Sequence, residues 1–360
     1  MNPSNETTDT LRARLVVDLS ALRQNAATIR DISGSRLLPM VKANGYGLGA
    51  VAIARALEPL EPWGFGVATP EEGAELRAAG ITRPILAFTP VPPARQEALL
   101  RSDLRPALGD LDSLRAWVAR GAAPFHLEID TGMSRNGFRW DDAAGIRAAA
   151  ELAAAAPGWE GAFTHFHSAE ADIPATRQQW ERFQEVLRVF TRRPGLVHAA
   201  NSAAALRGRE FAGDLVRPGI FLYGGSAGGQ PPRPVASLRA PVVALRGVKP
   251  GDPVSYNAEW RARSPAIIAT IAAGYADGVP RSLGNRGVVE VNGRSLPIAG
   301  RVTMDMTMVL AEAGVEVGQE AVLWGGVVGL DEQAARAGTI SYELLTSLPR
   351  RVARVYQERA

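Results

Sequence analysis

Cysteine is missing from all 360 residues. That absence removes disulfides, thiolate metal sites and cysteine nucleophiles together, and no metal site is expected. Lysine is almost missing: of the 40 basic residues only Lys42 and Lys249 are lysine, and the rest are arginine. Neither sign of charge dominates, the formal net charge being +3. No basic stripe interleaved with aromatics is present, so no nucleic-acid partner is expected. No apolar run approaches the ~18 residues that a membrane-spanning helix needs. The opening stretch MNPSNETTDT is too polar for a signal peptide or an anchor. The expectation is a cytoplasmic protein without membrane contact, with residues 1–12 as a disordered tail.

What is present falls into two textures. Up to about residue 225, short apolar runs alternate with helical stretches rich in alanine, arginine and glutamate. The runs are LLPMV, WGFGVA, PILAF, LRPAL, FHLEI, GAFTH, LVHA and DLVR. Helix candidates lie between them, such as PEEGAELRAAG from Pro70, with proline and acids at its start and glycine at its end. Strand–helix alternation implies parallel strands with crossover helices, and eight units suggest a closed (β/α)8 barrel. After about Pro234 the pattern becomes strand-like, with glycine, proline and asparagine turns including the hairpin signal Asn292-Gly293. The expected fold is therefore α/β, a TIM-type barrel over 13–235 followed by a mostly β domain over 236–360. The short run Arg12–Leu19 precedes the first barrel strand and is a candidate to pair with the second domain.

Scarcity draws attention to Lys42. Arginine keeps its charge at working pH, whereas a lysine can be desolvated, deprotonated and used as a nucleophile or base. Lys42 follows the first strand run, at the end of the strands where barrels carry their active sites. Strand alternation would put Leu38, Met40 and Lys42 on one face. A surface lysine is the alternative, and it is the better reading of Lys249 in the turn VKPGD. GYGLGA from Gly45 fits the loose dinucleotide pattern, but no acid sits at the end of the second strand to hold a ribose. Other polar residues recur at strand ends: His165, Asn201 with Ser202, and Arg217 with Gly219. On the fifth run Glu128 and Asp130 would face inward if Phe125, Leu127 and Ile129 face the helices. Loops after the seventh and eighth strands often hold a phosphate in barrels. A lysine, a phosphate cradle and a basic residue for a pyridine nitrogen together describe pyridoxal phosphate held as a Schiff base.

These motifs resemble the alanine racemases that depend on pyridoxal phosphate. The matching stretches include VKANGYG from Val41, DTGMSRNG from Asp130, HAANSA from His198 and VRPGIFLYG from Val216. In the second domain they are VSY from Val254, AGYADGVPR from Ala273, GRVTMDM from Gly300 and ISYE from Ile340. The resemblance implies that Lys42 binds the cofactor and acts as the base for D-alanine. Tyr256, reaching the site from the partner subunit of a homodimer, would be the base for L-alanine. Tyr46, Ser202, Gly219, Ile220 and Tyr342 would hold the phosphate, with Asn201 beside them. Arg217 would meet the pyridine nitrogen, and Arg135 the phenolic oxygen and the substrate carboxylate. His165 linked to Arg217 would supply a cationic neighbourhood that favours the phenolate of Tyr256. Met304 and Asp305 would line the substrate side, and a small pocket gated by Tyr275, Tyr342 and Met304 would favour a methyl side chain.

The chain departs from the family pattern at three places: Glu128 replaces a lysine that is often carbamylated, Leu48 a histidine, and Thr303 a cysteine. The implied function is interconversion of L- and D-alanine, for peptidoglycan or in alanine breakdown. The alternatives are a broader racemase that also takes serine, and a non-catalytic carrier of the cofactor. Barrel-type decarboxylases of basic amino acids rely on a cysteine that this chain lacks.

Overall fold

The computed structural model describes residues 12–358, so most of the expected N-terminal tail lies outside the described residues. The chain forms two compact units. One runs from Leu22 to Arg233; the other joins the segment ending at Ala21 to the chain from Pro234 onward.

In chain order the strands begin with β1 (Arg14–Asp18), which belongs to the second unit. The barrel unit contains β2 (Arg36–Leu37), β3 (Phe65–Val67), β4 (Ile85–Ala87), β5 (Arg105–Leu108), β6 (Phe125–Asp130) and the short β7 (Phe138–Arg139). It continues with β8 (Trp159–Phe163), β9 (Leu196–His198) and β10 (Leu215–Val216). All pair in parallel in the order β2-β10-β9-β8-β6-β5-β4-β3, with β7 attached to β6. A parallel bridge from Met40 to Gly66 closes the ring, supported by hydrogen bonds from Val41 N to Gly66 O and from Gly66 N to Pro39 O. Each of the eight apolar runs overlaps one of the eight barrel strands, although β2, β6 and β8 extend past one end of theirs.

Polar residues start the helices that follow. Asp110, Asp142, Asp172 and Asn201 each accept a hydrogen bond from the backbone N–H three residues on, satisfying a donor the first helical turn leaves open. Thr69 does the same for the helix Pro70–Ala78, whose Glu72 completes a capping box. Inside the ring, Leu38, Leu86, Leu196 and Leu215 form one buried cluster.

The β unit contains β11 (Ala236–Val248), β12 (Pro253–Val254), β13 (Trp260–Arg261), β14 (Ala266–Ile271), β15 (Val288–Val291), β16 (Arg294–Pro297), β17 (Thr307–Ala311), β18 (Glu320–Trp324) and β19 (Ala353–Gln357). β1 lies between β11 and β19, antiparallel to the first and parallel to the second. β11 is long enough to pair with β18 along one part and β14 along another, with a register shift at Val242/Ala244 where it bends. Asn292 and Gly293, both at positive φ, make the two-residue turn between β15 and β16.

One expected element differs in a way that matters for the site. The first barrel strand does not stay extended to Lys42. After the Met40 bridge the backbone turns left-handed, and Ala43, Asn44, Gly45 and Tyr46 all have φ between 52° and 60°. Strand alternation therefore does not set the direction of Lys42; the turn does.

Candidate active site

Lys42 is half-buried at the mouth of the barrel. Burial lowers the proton affinity of its amine, Arg135 and Arg217 lower it further, and Glu72 opposes them. The turn that follows closes on itself through Gly45 N to Val41 O, Gly47 N to Ala43 O and Gly49 N to Asn44 O, each 2.8 Å. The Asn44 side chain accepts from Ala50 N at 3.1 Å, joining the turn to the helix Ala50–Leu57.

Beneath this lysine Arg217 is buried, 4% exposed, and nearly every group it meets accepts. Nη1 donates to His198 Nδ1 at 2.8 Å, and Nη2 faces Thr164 O at 2.7 Å, Ala199 O at 3.0 Å and His165 Nδ1 at 3.2 Å. Burial and Arg135 push its pKa down, against a pull from Glu128, to about 9, so it stays charged at neutral pH. Its Nε–H and second Nη1–H have no partner among the described residues.

The contacts of Arg217 determine the tautomers around it, because a guanidinium only donates. His198 accepts at Nδ1, and burial with Arg217 nearby holds it neutral, so its proton is on Nε2. That nitrogen lies 2.8 Å from His126 Nδ1. His126, also held neutral by burial, therefore carries its proton on Nε2, which points to Glu160 Oε2 at 3.2 Å. Arg105 Nε donates to the same oxygen at 2.7 Å. Burial pushes Glu160 up, but the bonds from His126 and Arg105 outweigh it and hold the carboxyl below its usual range. His126 and His198 are completely buried.

On the other side of the mouth, Ser202 Oγ accepts from Gly219 N at 2.9 Å and lies 3.4 Å from Phe221 N. Asn201 caps the short helix that begins with Ser202, and Ile220 is buried beside them. Glycine at 219 leaves room for Tyr46: a Cβ there would lie 2.3 Å from its hydroxyl and push it aside. Tyr46 is held over this loop by stacking on Tyr223, with centroids 4.4 Å apart, and the Tyr223 hydroxyl donates to Met40 O at 2.8 Å. Two hydroxyls and a side-chain-free stretch of backbone thus converge, as a cradle for a phosphate group requires.

Arg135 is exposed on the loop after β6. Both inward carboxylates of β6 organise that loop. Asp130 accepts from Gly132 N and Ser134 N at 3.0 and 3.1 Å, and Glu128 accepts from Asn136 Nδ2 at 2.5 Å. Burial raises the pKa of Glu128 against the pull of Asn136, Arg135 and Arg217. Its hydrogen bond goes to Asn136, the residue next to Arg135.

Tyr256, Tyr275, Met304, Asp305 and Tyr342 lie in the β unit. Tyr256 sits between β12 and β13, in a stretch where Ser255, Asn257 and Ala258 all have positive φ, and its side chain is 69% exposed. Tyr275 and Met304–Asp305 are brought together: Tyr275 N donates to Thr303 O and Ala276 N to Met304 O, both 2.9 Å. Arg351 ties them further, with two bonds to Asp277 and one to Asp305. Tyr342 is half-buried on the helix Ser341–Thr346.

Comparison with known proteins agrees with both units. Residues 17–227 match the family model "Alanine racemase, N-terminal domain" and 235–356 match "Alanine racemase, C-terminal domain". The chain belongs to the alanine racemase family. Among curated family members it is 38% identical to the alanine racemase of Carboxydothermus hydrogenoformans, over 94% of this chain and 98% of the relative. It is 40% identical to that of Chlorobaculum tepidum, over 94% of each. The solved alanine racemase from Bartonella henselae with covalently bound pyridoxal phosphate superposes with a TM-score of 0.90 at 31% identity, covering 97% of this chain and all of that one. The enzyme from Streptomyces coelicolor gives 0.91 at 32%, covering 98% and 100%.

His165 is linked to Arg217, and the positive charge of that pair is the arginine's. Burial, Arg217, Arg135 and Lys42 push the pKa of the histidine down to about 3, so it is neutral at working pH and accepts from Arg217 at Nδ1. Its own Nε2–H is a neutral donor. The residues to which the sequence reading gave no role are His126, His198, Glu160, Glu72 and Asn136. Three of the four histidines in the chain, at 126, 165 and 198, belong to the barrel interior or mouth, and that concentration was the available signal.

Proposed function

We propose that this protein is an alanine racemase that uses pyridoxal phosphate and two bases on opposite faces of the substrate α-carbon. The observation that carries the proposal is the lysine itself, half-buried among cations that lower its proton affinity and across from the Ser202–Gly219–Tyr46 cradle. The residues fit the cofactor. Lys42 would be the residue that binds its aldehyde; Tyr46, Ser202, Gly219, Ile220 and Tyr342 would hold the phosphate, with Asn201 shaping the loop, and Arg217 would face the ring nitrogen. When bound, the cofactor acts as an electron sink that makes the α-proton of the amino acid removable.

The chain's own groups then move the proton. Tyr256, from the partner subunit, takes it from L-alanine and Lys42 returns one to the opposite face; D-alanine uses the reverse pair. His165 and Arg217 set the electrostatics near the phenol, and Arg135 holds the substrate carboxylate. Arg217, fixed by four acceptors and itself charged, would offer the ring nitrogen a hydrogen bond in place of a carboxylic acid's proton, and so would temper the electron sink and disfavour side reactions. Exposed Tyr256, Met304, Met306 and Tyr275 support a homodimer in which the partner covers this surface. A cytoplasmic location is part of the same proposal.

The test is incubation of the purified protein with pyridoxal phosphate and L-alanine in heavy water. Deuterium at the α-carbon together with D-alanine is expected. A yellow, cofactor-loaded protein that exchanges no α-proton would overturn the assignment.

A further inference from the structure

Glu72 makes more bonds than a helix cap needs. In a capping box the glutamate reaches back to the N–H of its own cap residue, yet here that contact, to Thr69 N, is the long one at 3.4 Å. The two short ones, 2.7 Å each, run from Ala68 N to Oε2 and from Ala43 N to Oε1. One carboxylate therefore joins the loop after β3 to the residue that follows Lys42.

That residue opens the left-handed turn. Backbone in this region is unfavourable for a residue with a side chain, less so for asparagine, yet Ala43, Asn44 and Tyr46 all adopt it beside Gly45. The turn's internal bonds use the N–H groups of Gly45, Gly47, Leu48 and Gly49; among the described residues the Ala43 N–H is held by Glu72. Among the described residues, the charges acting on the Lys42 amine are Arg135 and Arg217, which lower its proton affinity, and Glu72, the one anion of the three, which raises it; the neutral His165 lies in the same surroundings.

We propose that Glu72 is a positioning residue for Lys42: it clamps the left-handed turn through the Ala43 peptide and supplies the negative charge that balances two arginines at the amine. The inference rests on the reading of Lys42 as the cofactor and proton-transfer lysine. A group that must both take and return a proton cannot be driven wholly to its free-amine form, and Glu72 prevents that while leaving the amine easier to deprotonate than an ordinary lysine.

The two-lysine composition makes the test direct. The full chain, freed of cofactor, is acylated with trace acetic anhydride across a pH series, and labelling of Lys42 is measured by mass spectrometry against Lys249 in the same molecule. Glu72→Gln removes the charge, and its amide can accept from only one side of the bridge. The pH midpoint for Lys42 should move down, with labelling relative to Lys249 at pH 8 rising roughly threefold. Glu72→Asp keeps the charge but shortens the reach, so its midpoint should stay near that of the wild type. In both variants, deuterium exchange in a peptide spanning residues 42–48 should quicken. An unmoved midpoint in Glu72→Gln, or a rate change equal at every pH, overturns the charge role; unchanged exchange in both variants overturns the clamp. If Glu72→Gln does not fold, Glu72→Asp alone decides, since a shifted midpoint or unaltered exchange there contradicts the proposal. Borohydride trapping of pyridoxal phosphate on the wild-type chain separates the two readings. Failure to modify Lys42 would remove the cofactor assignment, while the acylation series judges Glu72 separately.

Discussion

The buried histidines have consequences that can be measured one residue at a time. His126, His165 and His198 all have folded-state pKa values below the ordinary 6.5, His165 at about 3. The unfolded chain therefore binds protons below pH 6.5 that the folded chain does not, and stability is complete above 6.5 and falls as the pH drops toward the folded values. Each such histidine adds a slope of about 1.4 kcal/mol per pH unit over that window. Denaturant unfolding at pH 7.5 and 5.5 should show a marked loss at the lower pH; equal midpoints would contradict neutral burial. At the same scale, Gly219→Ala puts a Cβ 2.3 Å from the Tyr46 hydroxyl. The hydroxyl has to move off the cradle, and affinity for pyridoxal phosphate should fall roughly tenfold, for the ~1.4 kcal/mol of one hydrogen bond. Absorbance titration of the folded variant checks it.

Elements show where sequence reading works and where it stops. Apolar runs bounded by turn residues located all eight barrel strands, because burial on both faces leaves a compositional mark. The helix Pro70–Ala78 announced itself by its proline, acids and glycine. The left-handed turn after Lys42 left no such mark: only one of its four residues is glycine, and the rest are held there by Glu72 and by bonds within the turn. β18 (EAVLW) and β19 (ARVYQ) were not anticipated either. The loop after β6 combines both cases. Asp130 and Glu128 were legible as inward-facing carboxylates, but their work of shaping the loop that carries Arg135 was not. Asp130→Ala, which frees Gly132 N and Ser134 N, should raise the KM for L-alanine roughly tenfold by misplacing Arg135. An unchanged KM would mean that this loop does not position the substrate. Asp142→Ala, at a helix start remote from the cradle, should cost about 1 kcal/mol of stability and leave KM alone.

For the whole molecule, β1 comes first in the chain yet joins the β unit, pairing with β11 and β19, as the sequence reading of the run Arg12–Leu19 had offered; which strands would flank it was not legible, because a strand's sequence does not name its partner. The division into units shapes another expectation. A cofactor held by barrel residues stabilises the folded state by RT ln(1 + [L]/Kd), about 2.7 kcal/mol at a hundredfold excess over Kd. Thermal unfolding should shift upward with pyridoxal phosphate in the wild type, and most of that shift should vanish in Lys42→Ala. Tyr256→Phe should keep the shift while losing turnover of L-alanine; retained turnover would remove the second base.

The tautomers in the barrel lead one step further. Arg217 can only donate and Glu160 can only accept, so the imidazoles between them are locked head to tail, from the arginine near the strand ends to the carboxylate near the strand starts. Every hydrogen bond in the row points the same way, so the N–H dipoles add from Arg217 to Glu160 instead of cancelling. The core of the barrel thus carries a standing electric polarisation, one that would be lost if either ring adopted its other tautomer.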